Sequence, residues 1–95
     1  MSPVKRAVPR PCTMHWGTGQ VVEEAAYVGR YHEPSLQLIE FTDGSQAIRL
    51  CYYRRGRFQR SPLMLDTREL GVLRRALGRT PQLRKLLRTL TGSVR

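Results

Sequence analysis

The chain has 95 residues and carries 17 Lys/Arg against 7 Asp/Glu, a formal net charge of +10. That length allows one small domain with a modest core, and no apolar run is long enough for a spanning helix or a signal-peptide core. Cys12 and Cys51 are too few and too far apart for a disulfide framework, so reduced thiols in a cytoplasmic protein (nucleoid-associated if bacterial) are expected.

The charge is distributed unevenly. From Ala47 to Arg95 there are thirteen Lys/Arg and two acids, Asp66 and Glu69; from Met1 to Gln46 there are four Lys/Arg and five acids. The second half is therefore a formal +11 and the first a formal −1. A field of this size attracts polyanions and releases their counterions on contact.

In chain order, residues 1–13 hold three prolines and three basic residues. Proline lacks an N–H and restricts its predecessor, which predicts an extended, mobile basic arm. A single domain follows over 14–92, with 93–95 as a tail. Gly17-Thr18-Gly19 is too short for a phosphate loop and reads as an ordinary turn. Gly19 to Tyr31 has strand composition through Val21, Val22, Tyr27, Val28 and Tyr31, with Gly29 marking a bulge or break. Glu23-Glu24-Ala25-Ala26 also suits a helix, so 21–28 is open between the two. His32-Glu33-Pro34-Ser35 reads as a turn.

Leu36–Phe41 alternates, with Leu36 and Leu38 on one face and Gln37, Ile39 and Phe41 on the other. Asp43-Gly44 is a strong hairpin signal. The Gln46–Tyr53 strand places Ile48, Leu50 and Tyr52 on one side and Ala47, Arg49, Cys51 and Tyr53 on the other. Arg55-Gly56 predicts a second turn and Arg57–Leu65 a further strand, in which Pro62 implies an edge or bulge. Asp66 then predicts a helix cap, with Glu69 three residues on and Leu65 with Leu70 as a staple. Helix 67–77 presents Leu70, Leu73, Ala76 and Leu77 inward and stops at Gly78. Thr80-Pro81 predicts a cap and first-turn proline for a second helix striped by Leu83, Leu86, Leu87 and Leu90.

The expected fold class is thus α+β: a four-stranded antiparallel β-meander followed by one or two amphipathic C-terminal helices that cover one sheet face. Small basic monomers are marginal, so the expected state is a homodimer.

The residues predict no catalytic constellation, and hence a non-enzymatic protein without cofactor. Asp66 and Glu69 are accounted for by helix capping. Cys12, His15, His32 and Cys51 could be written as a Cys2His2 zinc set, but no second close pair supports it, and no metal is expected. The chemistry-bearing stretch is 49–60, where arginine alternates with aromatics. Arg49, Tyr53, Arg54, Arg55, Arg57, Phe58 and Arg60 are the expected nucleic-acid-binding residues. Arginine forks to phosphate and stacks on planar groups, and Tyr and Phe stack on bases with little regard to their identity. Trp16 is open between a hydrophobic lid and a base-stacking group. Basic helices of this kind can lie on membranes, but the leucine stripe is better placed in a core or dimer seam.

Glu40-Phe41, the Asp43-Gly44 turn, Ile48-Arg49, Tyr52-Tyr53, the turn at Gly56 and Leu65 before a capped amphipathic helix resemble the positive cofactor four family of transcriptional coactivators. The stretch is similar as well to that family's bacterial relatives, over roughly 36–77. The resemblance implies a four-stranded antiparallel sheet and a helix, dimerisation largely through helices, and single-stranded nucleic acid across curved basic sheets. It would place Arg49, Tyr53, Arg57, Phe58 and Arg60 on or near that surface. Before the helix, Arg57-Phe58-Gln59-Arg60-Ser61-Pro62 stands where the family has a Pro-Gly-x-Lys-Gly-like segment.

The functional expectation is a nucleic-acid-binding protein that prefers single-stranded DNA, with RNA as a further partner, serving transcription or DNA maintenance. Two alternatives stand beside it. One is a small SH3- or Tudor-like module, suggested by Trp16–Glu23 and Glu40–Gly44, that receives an acidic protein. The other is duplex DNA or RNA binding through the helix arginines Arg74, Arg75 and Arg84.

Overall fold

A computed structural model of the chain describes residues 2–14, 17–59 and 63–92. Among these residues the strands are β1 (Ser2–Val4), β2 (Arg10–Met14), β3 (Gly17–Val28), β4 (Glu33–Phe41), β5 (Gln46–Arg54), β6 (Arg57–Phe58) and β7 (Leu63–Asp66). A 3-10 turn over Thr67–Glu69 leads into helices α1 (Leu70–Leu77) and α2 (Pro81–Thr91). The architecture is α+β, with every strand pairing antiparallel.

Three long strands, β3, β4 and β5, form the centre of the sheet. On one side β1 and β2 lie end to end along β3, pairing with Ala26–Val28 and Gly17–Val21 respectively. On the other, β6 and β7 share the edge of β5. The basic Pro-rich arm is extended, as its prolines require, but is stitched into the sheet instead of standing free. The segment 21–28 is strand, not helix: it pairs with β4 as far as Ala26, and with β2 at Val21 and β1 over Ala26–Val28 on its other side. The Gly17-Thr18-Gly19 run is strand too. A Cβ at Gly19 would meet the Glu40 carbonyl oxygen at 2.4 Å, so only glycine permits that closeness. The expected fourth strand is two pieces, β6 and β7. Pro62 and the bulge expected there lie outside the described residues.

The bulge sits at Val22, where the β3–β4 register shifts between Val21 and Glu23. This decides the core. Without it Glu23 would share the face of Val21; with it Glu24 does, opposite Gln37. The inner face therefore has an apolar end and a polar end. The apolar end buries Cys12, Val21 and Ile39, with Met14, Phe41 and Met64 packed around them. At the polar end, Ser35, Gln37 and Arg49 are buried.

Glu24 organises the polar end. Its carboxylate accepts from Arg10 at 2.9 Å, Ser35 at 2.7 Å, Gln37 at 2.8 Å and Arg6 at 3.2 Å. Arg6 continues to Glu33 at 2.6 Å. Burial by itself would raise the Glu24 carboxyl, but the bonds from Arg10, Gln37 and Ser35 outweigh it and hold it down at about 2.

The turns follow sequence chemistry. Ser45 donates to Asp43 through its N–H at 2.9 Å and its hydroxyl at 2.6 Å, and Gly44 takes φ +88°. Arg55 (φ 52°) and Gly56 (φ 77°) are both left-handed, as a type I′ hairpin requires. The β3–β4 turn lies earlier than expected, at Gly29–His32, closed by the Gly29 N–H on the His32 carbonyl at 2.8 Å. Asp66 caps the 3-10 turn by accepting the Arg68 N–H at 2.9 Å. Pro81 opens α2 as expected, but the Thr80 hydroxyl turns back to the Leu77 carbonyl at 3.2 Å instead of capping. The helices do not seal a sheet face: Leu70, Leu77 and Leu87 are half-buried, whereas Leu73, Leu83, Leu86 and Leu90 are exposed. No helix among the described residues is long and apolar enough to cross a membrane.

The depressed Glu24 carboxyl makes stability acid-sensitive. Its contribution is complete above pH 4.5, the ordinary value, and disappears as pH falls through the folded value of about 2. The depression corresponds to about 3 kcal/mol. Urea unfolding of Glu24→Gln at neutral pH is expected to show a loss of about 3 kcal/mol, with a flatter stability profile between pH 4.5 and 2 than wild type. Equal acid sensitivity in the variant would remove Glu24 from this role.

Candidate nucleic-acid interface

The seven expected binding residues separate into three groups. Arg49 and Tyr53 share a face of β5, as the alternation requires, but that face is the inner one. Arg49 is only 6% exposed. Its Nε donates to Gln37 Oε1 at 2.6 Å, its Nη1 lies 3.2 Å from the Cys12 sulfur, and its guanidinium carbon is 4.5 Å from the Phe58 ring centre. The buried Tyr53 hydroxyl accepts from Gln37 at 2.9 Å and Arg10 at 3.1 Å. The Arg6 guanidinium covers the Tyr53 ring at 3.8 Å.

The expectation that Arg49 and Tyr53 form an exposed stacking platform is thus corrected. In a flat sheet β2 and β5 would stand about 14 Å apart, three strand spacings. The Cys12–Arg49 and Arg10–Tyr53 contacts show that curl and long side chains close this gap. The arm's arginines occupy the space where bases would have stacked.

The second group, Arg54, Arg55, Arg57 and Phe58, is exposed on the β5–β6 hairpin. The β3–β4 tip comes to the same end of the sheet, bringing Arg30, Tyr31 and His32. Glu33 joins the tips, its carboxylate accepting the Gly56 N–H at 3.0 Å while Arg6 neutralises it. A hollow of about 450 Å3 between the tips is lined by Arg30, Tyr31, His32, Glu33, Arg54 and Arg55. A second, of about 520 Å3, is lined by Arg54, Arg55, Arg57 and Gln59. Among the described residues no carboxylate pairs with Arg30, Arg54, Arg55 or Arg57. Four guanidinium groups therefore converge with their charge unspent.

Exposed rings surround this end. Tyr31 is 72% exposed, with the Arg30 guanidinium 5.4 Å from its ring centre. Phe58 is 43% exposed; its edge meets Tyr53 at 5.6 Å, and Arg49 backs it. Tyr52 lies on the outer sheet face, edge-on to His32 at 5.3 Å. Arg30 and Tyr31 were not expected at the site. The Arg-Tyr adjacency in Gly29-Arg30-Tyr31 repeats the chemistry of 52–58 and was the available signal.

The third group is Arg60, which lies outside the described residues, as do Trp16 and the zinc candidate His15. Among the described residues no three His, Cys, Asp or Glu side chains converge as metal ligands. Cys51 is half-buried, and burial pushes its thiol up, with Arg49 opposing.

Buried and exposed tyrosines should respond differently. Tyr53→Phe deprives the buried Gln37 and the half-buried Arg10 of an acceptor and is expected to cost about 1–3 kcal/mol in chemical denaturation. Tyr31→Phe is expected to leave stability unchanged; equal losses would place the two rings in similar surroundings. Compared with protein-family models, with curated proteins and with solved structures, the chain matches none.

Proposed function

We propose that this protein binds nucleic acid without catalysis, favouring single-stranded DNA and taking little account of base sequence, through the basic end formed by its two hairpin tips. The observation that carries the reading is the convergence of Arg30, Arg54, Arg55 and Arg57 on one end without acidic partners, beside the exposed ring of Tyr31. Phosphate contacts by the arginines supply affinity, and stacking on Tyr31 and Phe58 supplies the preference for unpaired bases. An antiparallel meander followed by a helix also accords with what the resemblance to the positive cofactor four family implies. A role in transcription or DNA maintenance follows from such binding.

Four neutralised phosphates on a single strand give a log–log salt slope of about −3. Fluorescence anisotropy with a labelled single strand between about 50 and 200 mM salt is expected to show a slope of that size, with weaker duplex binding. Replacing Arg54, Arg55 and Arg57 by Gln should reduce the slope to about −1. Tyr31→Ala should weaken single-strand binding by about fivefold or more, with duplex binding less affected. Tighter duplex binding would defeat the single-strand preference. A loss of affinity on substituting Arg74, Arg75 and Arg84, with none at the tips, would move the site to the helices. Retention of an acidic protein after nuclease treatment, with no oligonucleotide binding, would favour the interaction-module reading.

A further inference from the structure

We infer that two copies of this chain pair through the outer sheet face, the α2 leucine stripe of each copy lying over the outer strands of the other. The inference does not depend on the nucleic-acid reading. It begins with apolar surface left uncovered. On α2, Leu83, Leu86 and Leu90 are 50%, 67% and 59% exposed, and α1 adds Val72 and Leu73. On the outer face of the sheet, Tyr27, Leu36, Tyr52 and Leu63 are exposed as well.

These surfaces are continuous. A groove of about 570 Å3 on the outer face is lined by Tyr27, Leu36, Leu50 and Tyr52, and Leu90 of α2 closes one side of it. The remaining stripe, Leu86 and Leu83, does not line that groove and stays exposed. Beside the groove, Ala25, Leu36, Leu38 and Ile48 form a shallower apolar hollow. One chain thus offers both a leucine ridge and an apolar bed, and its own ridge does not fill its own bed. A two-fold pair satisfies both copies at once, since each gives a helix and receives one. A continuous apolar surface of this kind marks an interaction site.

Charge identifies the occupant as a second copy. No acidic residue follows Glu69, so Arg84, Lys85 and Arg88 on α2 have no partner on their own helix. The outer face carries the exposed carboxylates Glu23 and Glu40 on strands β3 and β4 that bear Leu36 and Leu38. A leucine-striped helix with flanking cations is the complement of an apolar bed with flanking anions. The chain contains both.

Light scattering of the full chain at micromolar concentration is expected to give twice the 11.0 kDa chain mass. Leu86→Glu with Leu90→Glu should return it to the monomer mass with an unchanged circular-dichroism spectrum. Should that variant misfold, the wild-type chain still decides. Light and heavy isotope-labelled copies refolded together and treated with a carbodiimide should yield mixed-label links from Lys85 to Glu23 or Glu40. A wild-type chain at the monomer mass overturns the inference. So do links confined to like-labelled pairs, and so does a dimer unaffected by the double substitution. A monomer that binds phosphatidylcholine–phosphatidylglycerol vesicles through the same leucines also overturns it, in favour of a lipid surface.

Discussion

The Glu24 carboxylate holds together the part of the molecule on which everything else depends. An ionised carboxylate inside a small protein is costly unless its lone pairs are filled. Here Arg6, Arg10, Ser35 and Gln37 fill them, from the connection between β1 and β2, from β2 itself and from β4. The N-terminal segment is thereby fastened across the inner face. Because Gln37 also bonds Tyr53 and Arg49, the same network turns the β5 arginine and tyrosine inward. An inner face that could have received a ligand is filled by the chain's own guanidinium groups.

That arrangement sorts the charges. Two cations of the first half are spent internally: Arg6 and Arg10 answer Glu24 and Glu33, while Arg30 stays at the tip. Farther along, the Asp66 carboxylate is taken by Arg68. What remains is a set of arginines at the hairpin tips and along the helices, with few acids near them. The tips differ from the helices in having tyrosine beside arginine and in being fixed to one another through Glu33 and Gly56. Rigid placement of several guanidinium groups favours phosphate recognition over diffuse attraction. The helices instead combine their cations with uncovered leucines, which suits a protein neighbour better than a polyanion.

Much of the fold was legible in the chain. Alternation in 36–41 and 46–53 gave the correct faces, Asp43-Gly44 and Arg55-Gly56 gave the hairpins, and Asp66 gave the start of the helical region. Each of these signals is local: a dihedral preference or a side chain bonding its own backbone. The bulge at Val22 was not legible, because Val21-Val22-Glu23-Glu24 does not say which glutamate turns inward. From that one uncertainty followed the misplaced exposure of Arg49 and Tyr53, since nothing local announces that the anion organising their surroundings stands far earlier in the chain, at Glu24. The docking of the arm is hidden for a related reason: prolines and basic residues look solvated until the carboxylates that bind them are located. The helical stripes are plain in the chain as patterns, yet a pattern does not name what covers it, and Leu73, Leu83, Leu86 and Leu90 stay exposed.

The most direct test is a residue-resolved one. In an NMR titration of labelled protein with a short unstructured oligonucleotide, the largest shifts are expected at Arg30, Tyr31 and His32 and across Arg54–Phe58, including the exposed arginine side chains. The Arg49 and Tyr53 signals should move little, because their hydrogen bonds stay intact. Shifts concentrated on α1 and α2, or release of Arg49 and Tyr53 from the Glu24 network on binding, would contradict a binding end built from the hairpin tips.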